Sequence, residues 1–183
     1  MVDLLTLHKQ FLSPHLKKGG NAVDFTMGNG HDTLWLSREI GQDGRVWAFD
    51  IQEQALRSTA DLLRRENAPD NVTLIHDSHA NVLSYVKEPI CVGVFNLGYL
   101  PGGDKSVTTL RPSTLEAVKG GLELLDSDGA LLIAVYPGHE EGTKEGEMLQ
   151  EYLSTLSRFR ICASCFRIIN SPTSPFFFLC EKK

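Results

Sequence analysis

Short apolar runs bounded by turn residues alternate with amphipathic stretches along almost the whole chain, and this alternation decides the class of fold. Runs that are apolar throughout need cover on both faces, which a parallel sheet between helices provides. The runs expected as strands are Asn21 to Met27, Arg45 to Ile51, Asn71 to His76, Ile90 to Asn96, Ala130 to Tyr136, 159–169 and 175–182. Between them the period lengthens to that of a helix over 4–18, His31 to Ile40, 53–67, Pro112 to Leu125 and 143–157, with 79–87 a short helix or loop. Gly41 and the Asp43-Gly44 turn stop the second helix, and Pro112 suits the first turn of its own. No repeat, low-complexity segment or linker interrupts the pattern, so residues 1–183 read as one domain.

Only SPTSP joins the last two strands, too short a link for a crossover helix, so they are expected to pair antiparallel. A seven-stranded, mostly parallel sheet with an antiparallel C-terminal hairpin and helices on both faces is the outline of an α/β class I methyltransferase (Rossmann-like) fold. A plain dinucleotide-binding fold lacks that ending.

The segment DFTMGNGHDT leaves the first strand and enters a helix. Gly28 and Gly30 let the backbone turn tightly and approach a ligand without a Cβ in the way. The helix N-terminus beyond them offers N–H groups to it. Asp50 ends the second strand 20 residues after Gly30, where a carboxylate accepts both ribose hydroxyls of an adenosine. A dinucleotide fingerprint wants a third glycine for helix packing, and Thr33 stands there. Asn29, His31 and Asp32 suit an amino-acid moiety better than a pyrophosphate, and Asp24 is placed to face an ammonium. S-adenosylmethionine is therefore favoured over NAD. After the third strand, Asp77 is expected beside the adenine amine, or else as a turn residue or helix cap.

NLGYLPGGDKSVTT follows the fourth strand, where ligands of open α/β sheets sit. The Asn96 amide oxygen can accept a hydrogen bond from an amine and aim its lone pair, and Tyr99 can stack on a base. With Leu-Gly in place of two prolines, the loop resembles the Asn-Pro-Pro-Tyr loops of amino-group methyltransferases. His79, His139 or Asp104 could take the amine's proton. Gly102-Gly103 before Asp104 and Lys105 reads as a loop able to close over substrate. A turn-rich connection is the alternative, though structureless loops of this length are uncommon without function. Tyr136-Pro137-Gly138-His139 opens on the same rim. His8 and His15 could reach the site, but a histidine on an apolar helix face is more often packed there, so both are left out of the catalytic set.

The net charge of −5 argues against a protein that grips long nucleic acid through its whole surface. Any such partner needs a local patch, for which Lys17 with Lys18, Arg57 with Arg64 and Arg65, or Arg158, Arg160 and Arg167 are candidates. Cys162 and Cys165 form a lone C-x-x-C with no second pair, so no metal is expected and all four cysteines read as reduced, core-filling thiols. No run approaches the roughly 20 apolar residues of a membrane span. The N-terminus lacks the pattern of an export signal, so a cytoplasmic location is expected.

DFTMGNGHDT, VWAFDIQ, HDSH, NLGYLPGGDKSVTT and YPGH together resemble, in order along nearly the whole chain, the small bacterial family long labelled "putative rRNA methylase". Its members are understood to methylate the aminomethyl group of wobble 5-aminomethyl-2-thiouridine in tRNA, so the resemblance implies that activity and an anticodon stem-loop as partner. By resemblance Gly28, Asn29, Gly30, His31, Asp32, Asp50, Gln52 and Asp77 carry over as cofactor contacts. With Asp24, Met27, Ile51, Ser78, His79 and Asn96 they make the expected cofactor site. Asn96, Tyr99, Asp104 and Lys105 carry over as the acceptor side. Phe25 stands where the family most often has alanine. Paired subunits would help so small a domain span a stem-loop, so a homodimer is expected. An rRNA or small-molecule N-methyltransferase stays open beside this reading, as does an NAD-binding oxidoreductase or a non-catalytic nucleotide-binding module.

Overall fold

The computed structural model describes residues 4–100, 102, 108–138 and 140–183, with residues 4 and 5 by their backbone alone. Gly103, Asp104, Lys105 and His139, expected around the acceptor, lie outside the described residues. Seven strands, β1 Asn21–Asp24, β2 Arg45–Asp50, β3 Val72–His76, β4 Ile90–Asn96, β5 Leu125–Val135, β6 Ile161–Phe166 and β7 Phe176–Lys182, form one sheet in the order β3-β2-β1-β4-β5-β7-β6. Every pairing is parallel except those of β7 with β5 and with β6.

The expected hairpin therefore exists, but β7 lies inside the sheet and β6 at its edge. Burial explains the choice. Phe176–Cys180 are buried in succession, as a central strand requires, whereas β6 is half-buried or exposed along its length. Cys91 and Cys180 fill the core as expected, but Cys165 is exposed on β6 and Cys162 is only partly covered. Three positions apart on a strand, those two side chains point to opposite faces and cannot share a metal.

Among the described residues six α-helices cover the sheet: α1 Leu4–Leu12, α2 His31–Ile40, α3 Glu53–Arg65, α4 Val82–Tyr85, α5 Arg111–Leu124 and α6 Glu140–Ser154. α1 stops well short of residue 18 because Pro14 follows and starts a 3-10 turn over Ser13–His15. β1 ends before Met27, yet the Phe25 and Met27 N–H groups still donate to Val94 and Phe49 carbonyls at 2.9 Å. Asp126-Ser127-Asp128-Gly129 reads as a turn but is an irregularity inside β5. Asp128 sits at φ 62°, and the register against β4 shifts between Ile90 and Val92.

Apolar side chains fill both faces of the sheet. On one, Phe25 stacks on Phe95 with ring centroids 4.0 Å apart, under Val82, Ala117 and Leu149. On the other, Ala22, Val46, Val92 and Phe177 meet Leu12 and Leu36. No helix of the described residues is long and apolar enough to cross a membrane.

Candidate active site

A cavity of about 1070 Å³ opens where β1, β2, β3 and β4 end. Single-ligand sites usually measure roughly 300–1,000 Å³, so this space has room for a nucleoside-sized ligand and a second small group beside it. It lies at the β1/β4 boundary, where the strand order reverses and crevices form in such sheets. Met27, Gly28, Asn29, His31, Asp32, Asp50, Ile51, Gln52, Asp77, Ser78, His79, Asn96 and Tyr99 all line it.

Two expected contacts do not. Asp24 is fully buried and takes hydrogen bonds from the Thr33 hydroxyl at 2.6 Å and the Thr26 N–H at 3.1 Å. Burial pushes its carboxyl up to about 7, helped by repulsion from Asp32. It therefore braces the glycine loop and stands outside the cavity lining where a ligand's ammonium was expected to meet it. Gly30, at φ 82°, donates its N–H to the Met27 carbonyl at 2.7 Å, and an added Cβ would come within 2.8 Å of the Thr59 hydroxyl. Its place is helix packing against α3, the duty that the missing third glycine would otherwise serve. Gly30→Ala is expected to cost about 2–4 kcal/mol in denaturant unfolding through left-handed strain and overpacking. Wild-type stability in that variant would mean the α2–α3 contact is not tight.

The wall expected to face the cofactor is held by backbone and side-chain donors. Asp50 accepts from Gly28 N–H at 3.1 Å and Gln52 N–H at 2.9 Å, one on each oxygen. Burial raises its carboxyl above the usual range, an effect those bonds only partly offset. Asp77 accepts from Tyr85 OH at 2.8 Å, from the Asn81 amide and from Ser78 N–H. The Tyr85 bond leads in holding it below the ordinary carboxylate value. Ser78, not Asp77, caps the 3-10 turn that follows, accepting from Ala80 N–H. His79 shares a hydrogen bond with the Phe25 carbonyl through Nδ1 at 3.1 Å. A carbonyl only accepts, so Nδ1 carries the proton and Nε2 the lone pair. Burial pushes His79 down and keeps the ring neutral.

Across the cavity, where the acceptor is expected, Asn96 is fixed at three points. Its N–H donates to Thr26 Oγ1 at 2.7 Å, its Nδ2 to Asp32 at 2.8 Å, and its Oδ1 takes the Tyr136 hydroxyl at 3.3 Å. The Asp32 bond settles which way the amide faces. Burial would raise Asp32, but hydrogen bonds from His8 and Asn96 and the charges of His8 and Lys9 outweigh it and hold its carboxyl at about 2. His8, which the sequence reading set aside, lines the cavity with Nε2 at 3.2 Å from Asp32. Its helical spacing cannot tell core from cavity wall. Tyr99 bridges to Thr108 across the loop, 41% exposed at the cavity mouth.

The candidate basic patches scatter. Lys17 and Lys18 precede β1, Arg64 and Arg65 end α3, and Arg158 and Arg160 precede β6, so these lie toward the end of the sheet opposite the cavity. Lys17 pairs with Asp126, Arg57 with Glu53 and Arg64 with Asp61. Arg167 alone follows a strand end on the cavity side, with its guanidinium 4.6 Å from the Phe176 ring centre.

Comparison with known proteins places this geometry in a lineage. The chain is 34% identical, with a TM-score of 0.97, to the crystal structure of a "putative rRNA-methylase" of Clostridium thermocellum, covering 100% of this chain and 99% of that one. It is 40% identical, TM-score 0.91, to a "putative methyltransferase" of Streptococcus mutans solved in complex with SAH, again covering 100% and 99%. A chloroplastic tRNA (mnm(5)s(2)U34)-methyltransferase of Arabidopsis thaliana is 35% identical over 170 residues, 87% of this chain. The chain spans 62% of that relative's length. The fold is that of the class I methyltransferases. Residues 46–182 match the family described as "Putative rRNA methylase", and the chain belongs to that family.

Proposed function

We propose that this chain is an S-adenosylmethionine-dependent tRNA methyltransferase acting on the aminomethyl nitrogen of wobble 5-aminomethyl-2-thiouridine. The observation that carries the reading is Asn96. Its amide stands between the cofactor wall and the loop bearing Tyr99, with Nδ2 committed to Asp32. The amide oxygen is then the face turned to an acceptor, and with two lone pairs it can take an amine N–H beside the Tyr136 hydroxyl. The relative from Arabidopsis supports tRNA, and the Streptococcus complex with SAH supports the cofactor.

The residues present fit that cofactor. Each Asp50 oxygen keeps a second lone pair for a ribose hydroxyl, and no side chain caps the start of α2, where Asn29, His31 and Asp32 border the cavity. The bound cofactor supplies an electrophilic methyl on a sulfonium. The chain's part is to hold a neutral amine in line with it, which Asn96 does by direction and Tyr99 by stacking on the base. The acceptor must shed its proton before it attacks, and His79, which lines the cavity with Nε2 unprotonated, can accept a hydrogen bond from the neutral amine. A cytoplasmic location would bring the enzyme to such a substrate, and a homodimer would give it reach along a stem-loop.

The test is methyl transfer from labelled S-adenosylmethionine to tRNA from cells lacking the wobble-methylating step, with nucleosides identified by mass spectrometry. Labelled 5-methylaminomethyl-2-thiouridine is the expected product. Tight cofactor binding without transfer would discard the tRNA reading and leave rRNA or small amines as acceptors.

A further inference from the structure

We infer that Glu145 is a positioning residue for the acceptor loop, acting through Thr109 on the backbone that flanks Asn96 and Tyr99. The inference rests on the reading of that loop as the acceptor side. Asp24 and Glu145 are the carboxyl groups at 0% exposure among the described residues. Asp24 braces the glycine loop. Glu145 lies on α6, outside the cavity lining but hydrogen-bonded to Thr109, which is part of it. A buried carboxyl group is costly unless hydrogen bonds repay it, so what those bonds hold is informative.

They hold the neck of a loop. Glu145 Oε2 accepts from Thr109 Oγ1 at 2.8 Å and Oε1 from Thr114 Oγ1 at 2.6 Å. Thr109 Oγ1 itself accepts the Gly98 N–H at 2.9 Å, and the Thr109 N–H returns to the Gly98 carbonyl at 2.9 Å. Just above, Tyr99 and Thr108 form an antiparallel bridge. The loop leaving β4 is thus pinched shut two residues beyond Asn96.

A hydroxyl has one hydrogen. Because the Thr109 oxygen receives Gly98, its hydrogen must go elsewhere, and Glu145 is where it goes. The acid therefore fixes the rotor that fixes Gly98, whose φ of 131° suits glycine alone. Gly146 explains the reach: an added Cβ there would lie 3.0 Å from the Phe176 ring and 3.2 Å from Val135, so α6 lies close on the sheet. Thr114, on the other oxygen, ties the same acid to α5 by its hydroxyl, and its own N–H goes to the Leu110 carbonyl and not to Gly98 or Thr109.

That division separates positioning from mere stability. In the full chain, Thr109→Val keeps shape and removes the rotor, Thr109→Ser restores a hydroxyl, and Thr114→Val breaks only the α5 tie. Melting temperature, cofactor affinity, kcat and KM with undermodified tRNA, and amide hydrogen exchange of the 96–100 segment would be measured for each, with Glu145→Gln alongside. Thr109→Val and Glu145→Gln are expected to speed exchange of that segment and lower kcat about tenfold or more. Cofactor affinity should hold in both. Thr109→Ser should recover most of the loss, and Thr114→Val should lose melting temperature without losing kcat. Equal falls in kcat for Thr109→Val and Thr114→Val, or unchanged exchange in Thr109→Val, would overturn the inference. If the wild type methylates no tRNA, the proposed acceptor fails by itself, and hydrogen exchange still decides the clamp.

Discussion

Asp50→Ala is expected to weaken S-adenosylmethionine binding about 100-fold, the largest effect of any single change on the cofactor wall. A hydrogen bond to a charged group is worth roughly 1.5–3 kcal/mol, and a ribose diol would make two, so about 3 kcal/mol is a conservative loss and corresponds to about two decades in Kd. The variant also frees the Gly28 and Gln52 N–H groups that Asp50 now holds. Asparagine is no mild replacement, because its NH₂ would face one of those two donors. Burial already lifts the Asp50 carboxyl, so acid conditions should weaken binding by protonating it before an exposed aspartate titrates. Calorimetric titration settles the matter: an alanine variant binding within threefold of wild type would show that Asp50 does not grip the ribose.

Asn96→Ala is expected to do the converse, leaving cofactor affinity nearly intact while kcat falls by about two orders of magnitude. Its amide oxygen is the group proposed to aim the acceptor nitrogen, and misaligned in-line displacement loses rate far more than it loses binding. Asn96→Asp should be no better, since a carboxylate would stand 2.8 Å from Asp32, itself held ionised. Single-turnover rates with saturating cofactor and acceptor read this directly. Transfer at the wild-type rate in the alanine variant would remove Asn96 from the mechanism.

Local chemistry was legible in the chain where one neighbour decides the outcome. Ile90–Asn96 and His31–Ile40 follow from apolar periodicity and their stop signals, and the structure has them with those boundaries. Asn96 was findable because the end of a central strand is where ligands of such sheets sit. What escaped depends on which way a side chain turns after the fold closes. Asp24 stands at a strand end like a ligand contact, but Thr33 captures it from behind. Gly30 looks like a ligand-facing glycine, yet Thr59, far along the chain, uses the space. His8 lies on an apolar stripe whose outward neighbour is the cavity. Glu145 sits in a polar-looking helix start, and only the fold shows two threonines converging on it. The order β5-β7-β6 needed relative burial along two strands, which pattern alone cannot weigh against a simple edge hairpin.

The cavity wall has a further consequence. Among its described residues the nitrogen bases are histidines, His8, His31 and His79, with no lysine or arginine. Phosphate charge therefore finds no cationic side chain among those described residues, and the mouth is bordered by exposed Ile51, Tyr99 and Leu110. Ionic strength should accordingly govern how a polyanion arrives and leave what happens inside nearly untouched: KM for RNA climbs with salt by counterion release, while kcat stays level. Capture and chemistry would then answer to different solution conditions, because the fold keeps their electrostatics apart.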